Sequence, residues 1–168
     1  MMKRAFSSIL PYLIAVLIGV VVYEGIEFYC HPVIVEGDSM SPTYSDGDIL
    51  KGIPSEKVDS IDYGDVVVGR DGYKQVIKRV VGLPGDTLRI KDGVLYISSA
   101  TSPASGTFLV SEYNYGRIED VGCLKSDLEL DNDEYFLMGD NRNHSIDSRE
   151  FGPVKRENII KIVTDKIN

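Results

Sequence analysis

Gly37-Asp38-Ser39-Met40-Ser41-Pro42-Thr43-Tyr44-Ser45-Asp46-Gly47-Asp48 follows the apolar run Val33-Ile34-Val35, and this change from β-branched residues to turn formers decides how the chain is read. A short strand runs into a tight turn, with Gly37 and Asp38 ahead of Ser39 and Pro42, Asp46 and Gly47 behind it. A serine on such a junction is held at a rim with its hydroxyl presented outward, as an acyl-transfer nucleophile must be. Serine also favours turns and caps for local hydrogen bonding alone, so the stretch by itself leaves both readings open.

The same alternation of short apolar runs with Gly, Asp and Pro continues downstream. Residues 33–36, 48–51, 66–69, 75–81, 87–90, 94–97, 134–138 and 159–163 are β-branched or aromatic, which predicts a mainly β chain. Asp92-Gly93 between two of these runs predicts a two-residue hairpin. Gly-Asp recurs at Gly47, Gly64, Gly85 and Gly139, as repeated turn chemistry and not as an internal repeat. Residues 98–105 are small and polar, and 108–130 carry many charges without a clear period. This part reads as an insertion into the main sheet. Asp127, Glu129, Asp131 and Asp133 alternate at its end and just beyond it, but the glycine and terminal glutamate of a calcium loop are missing, so they read as a solvated strand face.

The chain has 168 residues, 43% of them hydrophobic, with 26 acidic against 18 basic side chains. That length holds one modest core with a small appendage. A net charge of -8 argues against a nucleic-acid partner, which calls for a clustered basic face. Residues 6–23 carry no charge, and about 18 helical positions reach about 27 Å, close to the hydrocarbon thickness of about 30 Å. They predict a transmembrane helix. Lys3 and Arg4 precede it and Glu24 and Glu27 follow, which puts the N-terminus in the cytoplasm and the rest outside. A cleavable secretory signal is the competing reading, but no small-x-small pattern follows the run. Cys30 and Cys123 have neither metal-ligand neighbours nor a telling spacing and are read as unpaired.

Two further stretches carry chemistry. In Lys78-Arg79-Val80-Val81-Gly82-Leu83-Pro84-Gly85-Asp86, strand alternation sets Lys78 on a face with Val76 and Val80. At its reference pKa of about 10.4 a lysine is neutral about once in a thousand near pH 7.4, and an ammonium accepts no proton. Desolvation that lowers the pKa by roughly two to three units, at a cost of about 3 to 4 kcal/mol, makes it a usable base. A Lys-Arg pair is also a common surface feature. The stretch Gly139-Asp140-Asn141-Arg142-Asn143-His144-Ser145-Ile146-Asp147-Ser148-Arg149 is either a solvated turn or a network of mutually satisfied charges bracing a site.

Together the uncharged N-terminal run, Gly-Asp-Ser-Met-x-Pro-Thr, Lys-Arg-x-x-Gly-Leu-Pro-Gly-Asp and Gly-Asp-Asn-Arg-x-x-Ser-x-Asp-Ser-Arg occur in an order that resembles the type I signal peptidases. These are membrane-anchored serine proteases with a Ser-Lys dyad, and the Gly-Asp-Ser form and short chain are similar to Gram-positive members. The resemblance implies Ser39 as nucleophile, Lys78 as general base and Ser145 as the residue that orients the lysine. It implies a bracing pair of Asp147 and Arg149, with Asp140 and Arg142 supporting the same loop. It also implies a substrate strand docked beside 32–36 and 75–77, lined by Val33, Val35, Gly37, Met40, Val76 and Ile77, with shallow pockets suited to Ala-x-Ala. Gly37 stands where some members have a serine that donates to the oxyanion, so the Ser39 N–H is left to carry that task.

The resulting expectation is an endopeptidase that trims signal peptides from exported preproteins at the cell membrane, with no metal and no organic cofactor. Residues 1–27 are the cytoplasmic start and anchor. Residues 28–97 and 131–168 form an extracellular antiparallel β catalytic domain, and 98–130 an inserted non-catalytic region. Two rivals stay in view. His144 with Ser39 and Asp140 or Asp147 makes a Ser-His-Asp triad possible in chain order, and a tethered β domain could bind exported peptides without cutting them.

Overall fold

The computed structural model describes residues 2–29, 32–99, 107–109 and 116–167, with the side chains of 2–8, 24–29 and 107–109 excepted. Cys30 lies outside the described residues. The chain divides into two compact units, Met1–Pro32 and Val33–Asn168.

The first unit is helix α1, Met2–Tyr29, which contains Pro11. It is uniformly apolar through its middle and not amphipathic, and its described side chains from Ile9 to Tyr23 are exposed. Among the described residues no helix is long and apolar enough to cross a membrane. The side chains described in α1 are those of residues 9–23, fewer than the about 20 that a span requires.

The second unit is mainly antiparallel β. Its strands are β1 (Val33–Ile34), β2 (Ile49–Pro54), β3 (Val66–Arg70), β4 (Gln75–Gly82), β5 (Thr87–Lys91), β6 (Val94–Ser98), β7 (Thr107–Leu109), β8 (Leu128–Glu129), β9 (Glu134–Met138), β10 (Val154–Lys155) and β11 (Ile159–Lys166), and α2 (Ser148–Phe151) is one helical turn. A seven-stranded sheet runs β1-β2-β11-β3-β4-β9-β10, and a four-stranded sheet runs β7-β6-β5-β8. Strands on both sides of position 97 hydrogen-bond in the smaller sheet. The expected hairpin is present: Lys91 pairs with Val94, and Asp92 and Gly93 have φ of 54° and 78°, the two positive values that such a turn needs.

Strand β4 and its neighbour β9 are buried on both faces. Alternation sends Val81, Phe136 and Met138 into a core shared with Leu88, Leu95 and Leu124, and sends Val80 and Leu137 into a second core with Val67 and Ile162. Burial of these aliphatic side chains, each worth roughly 1.5–3 kcal/mol, fixes the register of β4. That register sets where Lys78 and Arg79 point.

Pairing of β4 with β9 begins only at Arg79, opposite Met138. Among the described residues the β9-facing edge of Gln75–Lys78 therefore has no strand partner. Strand β1 is one terminal strand of the same sheet, β10 being the other.

Candidate active site

Ser39 lies in the turn that follows β1, half-buried, above the fully buried Met40. Lys78 reaches it from β4: its Nζ is 2.8 Å from Ser39 Oγ and donates a second bond of 3.0 Å to the Ile77 carbonyl. The lysine is 4% exposed, and among the described residues no carboxylate forms an ion pair with it. Burial pulls the amine below the ordinary lysine value of 10.5, and the negative charge of Asp147 opposes that shift without cancelling it. A hydroxyl and an amine driven toward neutrality are thus in contact, the arrangement a nucleophile and its base require.

Around them the polar loop is a satisfied network. Asp147 accepts from Arg149 Nε at 2.8 Å through one oxygen and from Arg149 Nη2 at 2.9 Å through the other. It also accepts from the Gly139 N–H at 3.0 Å. Arg149 continues to the carbonyls of Arg142 and Asp120. A Cβ at Gly139 would collide with the Ser145 side chain and the Ser39 carbonyl, so glycine is what lets the loop close on the nucleophile turn. Asn141 then holds that turn, donating its N–H to the Ser39 carbonyl at 3.0 Å and its Nδ2 to the Asp38 carbonyl at 3.2 Å.

The charged braces find separate partners, and two expectations, for Ser145 and Gly37, change. The carboxylate of Asp140 is taken by Arg79, through bonds of 2.8 and 2.5 Å, whereas Arg142 approaches Met138 Sδ and gives its N–H to the Asp140 carbonyl. Burial pushes the Arg142 guanidinium down to about 10. Ser145 does not orient the lysine here: its Oγ is buried and finds no hydrogen-bond partner among the described residues, because it packs on Gly139 while the amine takes Ser39 and the Ile77 carbonyl. Gly37 does not line the groove; its N–H is given to Asp46 at 2.7 Å.

The sequence reading missed Arg79, Thr43 and Asn143. Thr43 Oγ1 donates to Asp140 at 2.6 Å, so the Arg79–Asp140 pair joins all three chemical stretches. The available signal was alternation, which sends Arg79 inward on the face opposite Lys78. Asn143 donates to the Arg117 carbonyl at 2.9 Å and accepts from the Glu119 N–H at 3.0 Å, tying the loop to the region between the sheets' strands. Cys123 is free and exposed, with Sγ 3.4 Å from the Ser148 carbonyl. His144 is exposed and its Nδ1 lies 3.2 Å from Asn141 Oδ1, while the partner of Ser39 Oγ is Lys78.

A groove of about 610 Å³ opens at the pair. Val33, Val35, Met40, Val76 and Ile77 are among its lining residues, with Ile34, Lys74, His144 and Ile146. The edges of β1 and of the first half of β4 border it.

Comparison with known proteins places these features in context. The family model described as signal peptidase, peptidase S26, matches residues 5–164. The chain is 35% identical over 145 residues to signal peptidase I V of Bacillus subtilis (strain 168), covering 78% of this chain and 82% of that one. It is 38% identical over 151 residues to signal peptidase I of Bacillus licheniformis, covering 85% and 79%. It is 32% identical over 168 residues to signal peptidase I P of Bacillus subtilis subsp. natto, covering 95% and 89%.

Proposed function

Because this chain belongs to the signal peptidase family, peptidase S26, we propose that it removes signal peptides from exported preproteins by a Ser39–Lys78 dyad. The observation that carries the mechanism is the 2.8 Å contact between Ser39 Oγ and a buried amine that has no ion-pair partner among the described residues. Ser39 Oγ attacks the carbonyl carbon of the scissile bond as Lys78 Nζ takes the hydroxyl proton. The tetrahedral oxyanion is met by the Ser39 N–H, since Gly37 offers no side chain. Collapse breaks the C–N bond, Lys78 returns the proton to the leaving amine, and the mature chain departs. Lys78 then deprotonates water, which hydrolyses the acyl ester and frees Ser39.

A substrate strand laid between the edges of β1 and β4 would complete the sheet through main-chain bonds. Alternate side chains would then face Val33, Val35, Val76 and Ile77, which leave room for small residues only, so the preferred site is small-x-small. Asp147, Arg149, Asp140 and Arg142 act as braces. Residues 28–97 and 131–168 supply the catalytic part, and 98–130 are an inserted region outside the reaction.

Helix α1 is the membrane anchor in this reading. Its exposed, uniformly apolar side chains from Ile9 to Tyr23 support that role, since a helix apolar all round suits a bilayer. Lys3 and Arg4 keep the N-terminus cytoplasmic and the catalytic unit outside. Confinement to one plane raises the encounter rate with precursors held in the same bilayer.

The test is incubation of the solubilised chain with an exported precursor carrying an Ala-x-Ala site, followed by N-terminal sequencing of the product. Cleavage after the second alanine is expected, with Ser39→Ala and Lys78→Ala each inactive. Binding without a shortened product, or dependence on His144 in place of Lys78, would overturn the proposal.

A further inference from the structure

The groove is lined by exposed polar side chains, Glu36, Asp38, Lys74, Gln75 and His144, and by apolar ones. Among the described residues from 33 onward, the large apolar side chains left exposed are Ile34, Tyr63, Tyr73, Ile146 and Ile167. Of these, Ile34 and Ile146 line the groove, 60% and 56% exposed. Single exposed apolar residues need no explanation, but two that line one binding groove form a surface that awaits a cover.

The pleat says which part of a substrate covers them. Along β1 and the residue after it, Val33 is half-buried, Ile34 exposed and Val35 buried, so the valines face the groove floor and Ile34 stands on the outer face. A strand that extends the sheet keeps the same period of two. In a small-x-small segment both small side chains then face the valines, and the middle residue points outward, level with Ile34. Ile146 lines the same groove from the loop that follows β9. Its chain neighbours are Ser145, packed on Gly139, and Asp147, locked by Arg149, so its backbone is held in place.

We propose that Ile34 and Ile146 form an apolar clamp that selects a branched aliphatic side chain at the middle position of the small-x-small site. The inference rests on the dyad reading above and deepens it, because it assigns a preference to the one position that the shallow pockets leave free. A serine or aspartate there would leave both isoleucines in water and place a polar group between them.

One precursor is made in three forms, with Ala-Leu-Ala, Ala-Ser-Ala or Ala-Asp-Ala at the cleavage site, and kcat/KM is measured with the full-length chain in lipid. Leucine is expected to exceed serine by about tenfold, the usual discrimination an apolar contact of this size provides, and aspartate to be poorest. In Ile34→Ser/Ile146→Ser the leucine-to-serine ratio is expected to fall to about twofold. Ile146→Ala, the milder change, should give an intermediate ratio. A wild-type ratio near one, or a ratio that survives in the variants, would overturn the clamp and leave the dyad reading intact. Failure to cut any of the three precursors would instead strike the dyad reading itself.

Discussion

Lys78 and Arg79 are adjacent on β4, both cationic by default and both buried, at 4% and 8% exposure, yet their surroundings put them to opposite uses. Arg79 is answered in full: two bonds to Asp140, one of 2.7 Å to the Gly64 carbonyl, and a shared contact with Thr43. Lys78 is given a hydroxyl and a carbonyl, neither of which neutralises a charge. Burial with a carboxylate makes a girder, whereas burial without one makes a base. The alternation of one strand separates the two outcomes by a single residue.

Replacing the lysine breaks the comparison most severely. Lys78→Met keeps the stem and removes the amine, so cleavage should fall by about a thousandfold or more, while the fold becomes more stable. The sign follows from the lowered amine. Because its folded pKa lies below the unfolded one, the unfolded chain binds more protons between the two values, and stability rises with pH across that window. The destabilisation is complete below the folded pKa and disappears as pH rises through about 10.5. Melting scans of both proteins should therefore differ near neutrality and converge at high pH. Wild-type cleavage should gain with pH as the amine empties. Equal melting curves near neutrality would mean that Lys78 carries no desolvation cost.

The girder breaks differently. Asp140→Asn leaves the Arg79 charge buried with a neutral partner, a change that typically costs about 3–5 kcal/mol, and denaturant unfolding should report it. Activity should fall with it, since Thr43 and the nucleophile turn lose their hold on β4. Restoring packing without charge, in Arg79→Met/Asp140→Leu, should recover much of the stability. If the single variant unfolds like wild type, the pair is no girder.

How much of this could be read in the sequence depends on the reach of each interaction. The Asp92-Gly93 hairpin is set by two residues and was legible. Ser39 and Lys78 were found because short, recognisable stretches surround them, and the structure brings them together across 39 positions of chain. Arg79 and Asp140 are 61 positions apart; alternation sends the arginine to the face opposite Lys78, but nothing local in either stretch names Asp140 as its partner. Strands β7, β8 and β10, two or three residues each, owe their pairing to a neighbouring edge and not to their own propensity. The Ser145 hydroxyl illustrates the remaining gap, because its burial against Gly139 without a hydrogen-bond partner among the described residues is set by packing that its own stretch does not signal.

The smallest effect probes whether the brace from outside the dyad matters. Gly122 sits at φ +51°, and a Cβ there would overlap the Arg149 backbone and side chain. Its neighbours in the chain reach the same loop, since the Asp120 carbonyl accepts from Arg149 and Cys123 packs on Ser148. Gly122→Ala must push Arg149 or move the segment, and overpacking of this kind costs about 1–3 kcal/mol. Because Arg149 is what fixes Asp147, and Asp147 is the charge that most opposes the lowering of Lys78, displacement should shift the pH at which cleavage becomes half-maximal, not only the melting temperature. A lower melting temperature with an unmoved pH profile would confine residues 116–123 to the stability of the fold. A shift in both would make the region outside the dyad part of how the amine is tuned, and the contrast between girder and base would then be one of degree, with Arg149 setting the charge that each of them feels.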